Sequence, residues 1–386
     1  MINKIDPVLY NKINTLKLNN AELDCVIYAN NYNNLKLCLK GINKIKDIQE
    51  LPFIKAFGVK VNALDIGNLA KLNAINYITT SLKVQTQIDV AKRVINLNSE
   101  KLKHNFSVVI IDTGVYLSPD IAMPNNRIIK FVDLISEHNF PYDDNGHGTF
   151  ITNTLAGNGL ISGGKYSGID PNANVIVIKA LDYQGETGAV TILKAMQWVI
   201  DNKKKYNIKV VCMSFGSLVL GKNDPLIVGA EVLWNNGITV VAAAGNSGPN
   251  SETIKSPGAS SKIITVGALD DNRQKNAELD VNKFEVASFS SRGPILGNYK
   301  PDVLAPGVNI NGACNYKLLK KHYDVMSGTS VATPIVAGIC SLLLAKNSEL
   351  KPNAIKRILL SNTFRISGDQ NAEGYGIIDC SNMIFS

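Results

Sequence analysis

The sequence predicts an α/β fold with a mostly parallel central sheet, preceded by a small α+β domain. Three observations support this prediction. From about residue 107 onward, short β-branched segments alternate with amphipathic helical segments. The first hundred residues show a similar alternation on a smaller scale, and a polar stretch at 86–106 separates the two parts. With 386 residues, 45% of them hydrophobic, the chain can form one large and one small domain.

The larger domain contains five apolar segments that predict buried strands. They are SVVIID (107–112), VIVIKAL (175–181), KVVCMSF (209–215), ITVVAAA (238–244) and KIITVGA (262–268). Amphipathic segments at 192–205 and 225–237 lie between them and predict helices. Apolar strands that alternate with helices indicate a parallel sheet covered on both faces. In such sheets the functional residues lie beyond the carboxyl ends of the strands.

The first hundred residues predict a compact unit of four strands and two helices. The strands are expected at 23–29, near 42–49, at 53–61 and at 75–84, and the helices at 31–39 and 63–72. This β-α-β-β-α-β order is that of ferredoxin-like units. We therefore expect domains at 1–84 and 107–386, joined by a connecting segment at 85–106.

Composition and charge argue against several classes of function. The net charge of +8 includes no run of five or six like charges, so we expect no nucleic-acid partner. The six cysteines include no short-spaced pair, which argues against a zinc site or a redox motif. The amino terminus has no apolar stretch of signal-peptide length, and no apolar run is expected to cross a bilayer. These features predict a cytoplasmic protein without a membrane partner, with unconventional release left open.

Three segments supply residues for an acid–base–nucleophile relay, in the order Asp112, His147 and Ser330. Asp112 closes an apolar strand, His147 stands between two glycines before a helical segment, and Ser330 stands at or near a helix start. Each has an ordinary structural alternative, such as a helix N-cap for the serine. Asn246 lies in a glycine-flanked loop after a buried strand, where its amide could donate to a developing oxyanion. The four together are far more specific than any one.

The motifs around these residues resemble those of the subtilisin-like serine proteases, the subtilases of peptidase family S8. They are D-T-G at 112–114, H-G-T at 147–149 and G-T-S-x-A-x-P at 328–334. The resemblance extends over about 107–380. Through PYDDNGHGT and IITVGALDDN, the chain most resembles the intracellular minor subtilisins of Gram-positive bacteria. It implies a three-layer subtilisin-like fold and a serine endopeptidase acting on protein or peptide substrates.

The resemblance also implies a role for each site residue. Ser330 would attack the scissile carbonyl, His147 would accept and return the proton, and Asp112 would orient His147. Asn246 and the backbone N–H of Ser330 would hold the oxyanion. The substrate would add as a strand between two backbone edges, and small residues would leave room for a sizeable P1 side chain. The edges are Ser214, Phe215, Gly216 and Gly185, Glu186, Thr187, and the S1 residues are Ala243, Ala244 and Gly245.

Two further expectations concern Glu186 and the smaller domain. Glu186 would favour a basic or polar P4 side chain, with a merely solvent-facing glutamate as the alternative. Residues 1–84 resemble the inhibitory propeptide of the family, an intramolecular partner removed by autoprocessing between about Ser81 and Ile88. A permanent accessory domain is the alternative.

The resemblance implies no required cofactor and leaves calcium open without an identifiable site. The loop at 157–168 lacks the ligands of the strong calcium site of secreted subtilisins, and Asp120 alone cannot replace them. Asp143 and Asp144 are expected to be structural. Two other functions remain. A pseudoprotease that binds partners is disfavoured because all four catalytic positions are filled, and a processing protease with one dedicated substrate is not distinguished from a general one.

Overall fold

The computed structural model describes residues 4–6, 9–10, 13, 22–42, 45–80, 90–97, 102, 104–272 and 279–383. The chain divides into two compact units, Met1–Gln85 and Thr86–Ser386. The expected processing region between Ser81 and Ile88 lies outside the described residues.

The described part of the smaller unit includes a four-stranded antiparallel sheet and two helices. Its elements are β1 (Glu22–Ala29), α1 (Tyr32–Lys40), β2 (Ile45–Leu51), β3 (Ala56–Asn62), α2 (Ala63–Leu69) and β4 (Ile75–Thr80). The strand order across the sheet is β2-β3-β1-β4, as in split β-α-β units. Asn31 and Asn62 cap the two helices by accepting N–H bonds from Asn34 and Leu64. Fully buried Ile27 and Phe57 lie in the core of this unit.

The larger unit is built around a ten-stranded sheet. The strands of this unit are β5 (Ser107–Asp112), β6 (Ile128–Asp133), β7 (Asn174–Lys179), β8 (Ile208–Met213), β9 (Thr239–Ala243), β10 (Ile264–Asp270), β11 (Glu285–Val286), β12 (Val303–Pro306), β13 (Ile310–Ala313), β14 (Tyr323–Met326), β15 (Thr363–Phe364) and β16 (Ile377–Ile378). The sheet order is β15-β16-β12-β10-β9-β8-β5-β7-β6, with β11 paired to β10, while β13 and β14 form a separate ribbon. Its central pairs are all parallel, and the β10–β11 and β15–β16 pairs are antiparallel.

Several helices pack against this sheet, among them two pairs whose members also pack on each other. The helices of the unit are α3 (Val90–Val94), α4 (Pro119–Ala122), α5 (His147–Ala156), α6 (Ala189–Asn202), α7 (Pro225–Asn235), α8 (Tyr316–Leu319), α9 (Thr329–Lys346), α10 (Pro352–Ser361) and α11 (Gln370–Glu373). Helix α9 packs on α5 and on β8, β9, β10 and β12, while α6 packs on α7 and β5. Every residue of β5 and β9 is buried, as expected for strands covered on both faces. The predicted α/β fold with a mostly parallel sheet is confirmed.

Helix α9 is the central helix of the core. It is the one helix among the described residues that is long and apolar enough to cross a membrane, with a mean hydropathy of 1.5. The sequence predicts no apolar run able to cross a bilayer, and by length and composition this helix contradicts that prediction. Within the fold, 83% of the helix is buried, and its neighbours are strands and another helix of the same unit. Burial of this extent is what the core of a large α/β unit requires.

Pro334 lies inside α9, at its sixth residue. A proline is readily accommodated in the first turn of a helix, but this position lies beyond it. Because Pro334 has no N–H, the carbonyl oxygen of Ser330, four residues earlier, lacks its usual helical donor. The helix nonetheless continues to Lys346, held by its buried apolar surface.

Candidate active site

Asp112 and His147 form a hydrogen-bonded pair at the end of the central strand β5. Asp112 is fully buried, and its Oδ1 lies 2.7 Å from Nδ1 of His147. The same oxygen accepts the backbone N–H of Thr113 at 2.8 Å. These partners offset part of the cost of burying a carboxylate, while Oδ2 is buried without a hydrogen-bond partner among the described residues. Because Nδ1 is held by Asp112, Nε2 is the ring nitrogen left for proton exchange, and the His147 side chain is 24% exposed.

A glycine allows His147 to approach Asp112 this closely. His147 is the first residue of α5, and Gly148 follows it. A Cβ atom on Gly148 would collide with the carbonyl oxygen of Gly114 and lie 3.1 Å from Oδ1 of Asp112. The first turn of α5 can therefore pack against the turn after β5 only when residue 148 has no side chain.

Asp143 organises the loop that precedes His147. Its Oδ1 accepts the hydroxyl of Thr113 at 2.9 Å and the N–H of Gly146 at 2.8 Å. Its Oδ2 accepts the N–H and the hydroxyl of Thr149 at 2.9 and 2.5 Å. One buried carboxylate thus joins the residue after Asp112 to the first turn of α5. This contact set agrees with the structural role expected for Asp143.

Lys179 reinforces the same loop from the end of β7. Its fully buried ammonium donates to the carbonyl oxygens of Thr113 and Leu181 at 2.7 and 3.0 Å and pairs with Asp144 at 2.6 Å. Three acceptors satisfy the three N–H bonds of the charge, as burial demands. Sequence reasoning missed Lys179, because only the parallel pairing of β5 with β7 brings it to this loop.

Opposing effects set the pKa of His147. Burial lowers it, whereas the charge of Asp112, the hydrogen bond to Asp112 and the charge of Asp143 raise it. The raising effects prevail, so the pKa of His147 lies above its ordinary value of 6.5. The arrangement favours the imidazolium, the form that a general base adopts once it has accepted a proton.

Asn246 and Ser330 border the same small space at the start of α9. Oδ1 of Asn246 accepts the N–H and the hydroxyl of Thr329, both at 2.9 Å. Because a backbone N–H can only donate, these contacts fix which amide atom is the oxygen. A Cβ atom on Gly328 would lie 2.9 Å from Oγ of Ser330 and 3.3 Å from Nδ2 of Asn246. One point beside Gly328 is therefore close to both a hydroxyl and an amide donor.

The predicted catalytic residues thus lie at the starts or ends of packed elements. Helix α5, which begins with His147, packs along α9, which carries Ser330 as its second residue. Within the described parts of the chain no hydrogen bond joins His147 to Ser330. Catalytic hydrogen bonds are often long in free enzymes and tighten when substrate binds.

The expected substrate-binding segments follow β7, β8 and β9. Ser214, Phe215 and Gly216 come directly after β8, and the next residue, Ser217, bridges to Ser256 in an antiparallel pair. Ala244 is fully buried in a small apolar cluster, so its side chain faces the core.

The second expected edge is a tight turn. Gly185 has φ 80°, and Glu186 exchanges two hydrogen bonds with Asp182: its carbonyl accepts the Asp182 N–H, and its own N–H donates to the Asp182 carboxylate. Gly185, Glu186 and Thr187 are all partly or fully exposed, as a substrate edge requires.

Asp120 is engaged in a way that does not fit a calcium ion. It is fully buried, with Oδ1 accepting the N–H of Ile161 at 2.9 Å and Oδ2 accepting the hydroxyl of Tyr323 at 2.6 Å. Burial, together with the hydrogen bond to Asp120, raises the pKa of Tyr323, so its hydroxyl remains a donor. Both carboxylate oxygens face N–H or O–H groups, whereas calcium needs six to eight oxygen ligands. Among the described residues no group of three or more His, Cys, Asp or Glu side chains could hold a metal.

Comparison with known proteins gives a consistent result. Residues 103–376 match the model of the subtilase family, Peptidase_S8. Serine protease AprX of Bacillus subtilis (strain 168) is 39% identical over 339 residues, which cover 83% of this chain and 75% of that protein. Subtilisin DY of Bacillus licheniformis is 31% identical over 278 residues, 71% of this chain and 89% of that protein. The solved structure of sphericase has 25% identity and a TM-score of 0.62, and the match covers 77% of this chain and 99% of sphericase.

Proposed function

This chain belongs to the subtilase family and is a serine endopeptidase, and we propose that Asp112, His147 and Ser330 are its catalytic triad. The observation that most supports this assignment is the 2.7 Å contact between the buried carboxylate of Asp112 and Nδ1 of His147. The order Asp, His, Ser along the chain is that of subtilisin among the convergent triads.

In the proposed mechanism Oγ of Ser330 attacks the scissile carbonyl carbon while Nε2 of His147 accepts the hydroxyl proton. Asp112 holds the ring by Nδ1 and stabilises the imidazolium that forms. The imidazolium then gives the proton to the leaving amine, which breaks the peptide bond and leaves an acyl group on Ser330. A water molecule, deprotonated by the same ring, releases the acid product.

The oxyanion of the tetrahedral intermediate would be held by Nδ2 of Asn246 and the N–H of Ser330. Thr329 fixes Asn246 by two hydrogen bonds to its Oδ1, so Nδ2 is already oriented before the substrate arrives. The N–H of Ser330 lies in the first turn of α9, where it has no partner within the helix and the helix dipole favours negative charge.

Replacing Asn246 by alanine is expected to lower kcat by about 10²–10³, the loss measured for this amide in subtilisin itself, with little change in KM. The reason is that Nδ2 meets negative charge that develops only after the attack. Steady-state kinetics on a peptide anilide measure both constants, and Asn250→Ala, an exposed neighbour in the same loop, is the matched control. A loss in kcat of less than about threefold would show that Asn246 does not stabilise the oxyanion.

We propose that substrates bind as a strand between the two expected edges, with Glu186 near the P4 side chain. The glutamate is exposed, so its effect on a charged P4 group is expected to be small. Glu186→Gln should reduce a preference for P4 arginine over P4 leucine by about two- to fivefold. A P4-varied peptide series measures this ratio, and an unchanged ratio would show that Glu186 only faces solvent.

We further propose that the smaller unit is an inhibitory propeptide removed by the enzyme itself. The purified wild-type chain is expected to be cut between about Ser81 and Ile88, because this segment joins the two compact units. Ser330→Ala should remain at the full 41.8 kDa. Intact-mass spectrometry of both proteins measures the outcome, and equal cleavage of the variant would assign the cut to another protease.

The proposed function is tested by incubation with a fluorophosphonate probe, which reacts with activated serines. Processed wild-type protein should be labelled, and Ser330→Ala should not. A processed wild-type protein that stays unlabelled would instead favour the binding scaffold over the enzyme.

A further inference from the structure

We propose that Lys255 lies at the base of the S1 pocket and gives the enzyme a preference for an acidic P1 side chain, glutamate or aspartate. This inference rests on the proposed function, because it assigns a specificity to the same cleft. It also changes the expectation from the sequence, in which only small residues lined this pocket.

The backbone around Lys255 is hydrogen-bonded to both proposed walls of the pocket. Its N–H donates to the carbonyl oxygen of Ala244 at 2.9 Å, in the wall that leads to Asn246. The next residue, Ser256, exchanges two backbone hydrogen bonds with Ser217, at 2.9 and 3.0 Å, in the wall that follows β8. Lys255 therefore sits where the segment crosses from one wall to the other.

The side chain of Lys255 lies between two glycines, one from each wall. A Cβ atom on Gly216 would lie 2.6 Å from Cβ and 3.3 Å from Cγ of Lys255. A Cβ atom on Gly245 would collide with Cγ and lie 3.3 Å from Cβ of Lys255. The lysine stem thus fills the space that the two missing side chains leave open, next to the residue that precedes Asn246.

The ammonium group of Lys255 has no anionic partner in the described part of the protein, where no hydrogen bond or ion pair to it is present. The carboxylate of Asp224 contacts the same segment, but its hydrogen bonds are made with other groups. It accepts the hydroxyl of Ser256 at 2.7 Å and the N–H groups of Leu220 and Leu226, each at 2.9 Å.

A half-buried lysine without an ionic partner discriminates between substrate side chains by their charge. Charges that are partly removed from water gain most from an opposite charge and lose most beside an apolar or like-charged group. A P1 carboxylate would supply the missing partner. The lysine stem also shortens the pocket, which disfavours large aromatic P1 side chains.

The test uses the full chain after its own processing and peptides that differ only at P1. Glutamate and glutamine have the same shape, so their ratio of kcat/KM isolates the charge. We expect the wild-type enzyme to prefer glutamate by about tenfold or more, as for partly desolvated charge pairs. Lys255→Met, which keeps the stem, should bring the ratio to about one or below, and Lys255→Glu should favour P1 lysine. Lys194→Gln, an exposed lysine on α6, is the control that leaves the ratio unchanged.

A wild-type enzyme that cleaves both peptides alike, or a Lys255→Met variant with an unchanged ratio, would overturn the inference and leave the proposed function intact. Wild-type protein that cleaves no peptide and does not react with the fluorophosphonate probe would contradict both the inference and the proposed function. Should the Lys255 variants fail to fold, the wild-type ratio is measured against salt concentration. It is expected to fall as salt screens the pair, and a salt-independent ratio would count against Lys255.

Discussion

Replacing Ser330 by alanine is expected to lower kcat by about 10⁶, and replacing His147 by alanine is expected to do the same. This magnitude was measured in subtilisin and is carried here on the shared family. The double variant should lose no more than either single variant, because nucleophile and base act as one unit: a serine without its base is as inert as a base without its serine. Initial rates on a peptide anilide give kcat for the wild type, the two single variants and the double variant.

The controls for these variants address contamination and folding. Ser348→Ala, a partly exposed serine after α9, should retain wild-type activity. Each inactive variant should unfold cooperatively on heating, as a folded domain does. If the losses in kcat of the two single variants add in the double variant, the two residues contribute separately. A Ser330→Ala variant with the wild-type rate would show that Ser330 is not the nucleophile.

Replacing Asp112 by asparagine is expected to lower kcat by about 10⁴, as in other serine proteases with this triad. An amide can no longer hold the ring in the tautomer that leaves Nε2 free to accept a proton, and it does not stabilise the imidazolium. The loss should appear in kcat more than in KM, because the charge on the ring develops during the reaction.

The same substitution should also move the pH dependence of kcat/KM. In the wild type, activity is expected to fall as the pH drops through a pKa above 6.5, because a protonated imidazole cannot accept the serine proton. Without the charge of Asp112, burial dominates, so the acid limb should move to lower pH. Asp201→Asn, exposed on α6, is the control. An acid limb that stays in place would show that another group sets it.

Much of the fold could be predicted from the apolar pattern, for a physical reason. The strand at 107–112 was predicted with the bounds that the structure shows, since a strand buried on both faces is apolar throughout. The expected strand at 53–61 begins later, at Ala56, because a 3₁₀ turn and Lys55 with φ 53° precede it. Strands of two residues, such as Thr363–Phe364, are too short to carry any periodicity.

The residues of the candidate site also differ in whether the sequence alone could identify them. Asp112, His147, Asn246 and Ser330 could be singled out because each sits in a short local motif at a strand end or helix start. Lys255 could not, because its place depends on contacts with two glycines, one about forty residues away along the chain and one ten.

The central claim, that Ser330 is the nucleophile, is tested most directly by locating the atom that a fluorophosphonate modifies. Processed wild-type protein is treated with the probe, digested with trypsin and sequenced by fragmentation mass spectrometry. The tryptic peptide 322–346 should carry one adduct, and fragmentation should place it on Ser330 rather than on Ser327, Thr329, Thr333 or Ser341. An adduct at another residue, or none in a protein that cleaves peptides, would contradict the account.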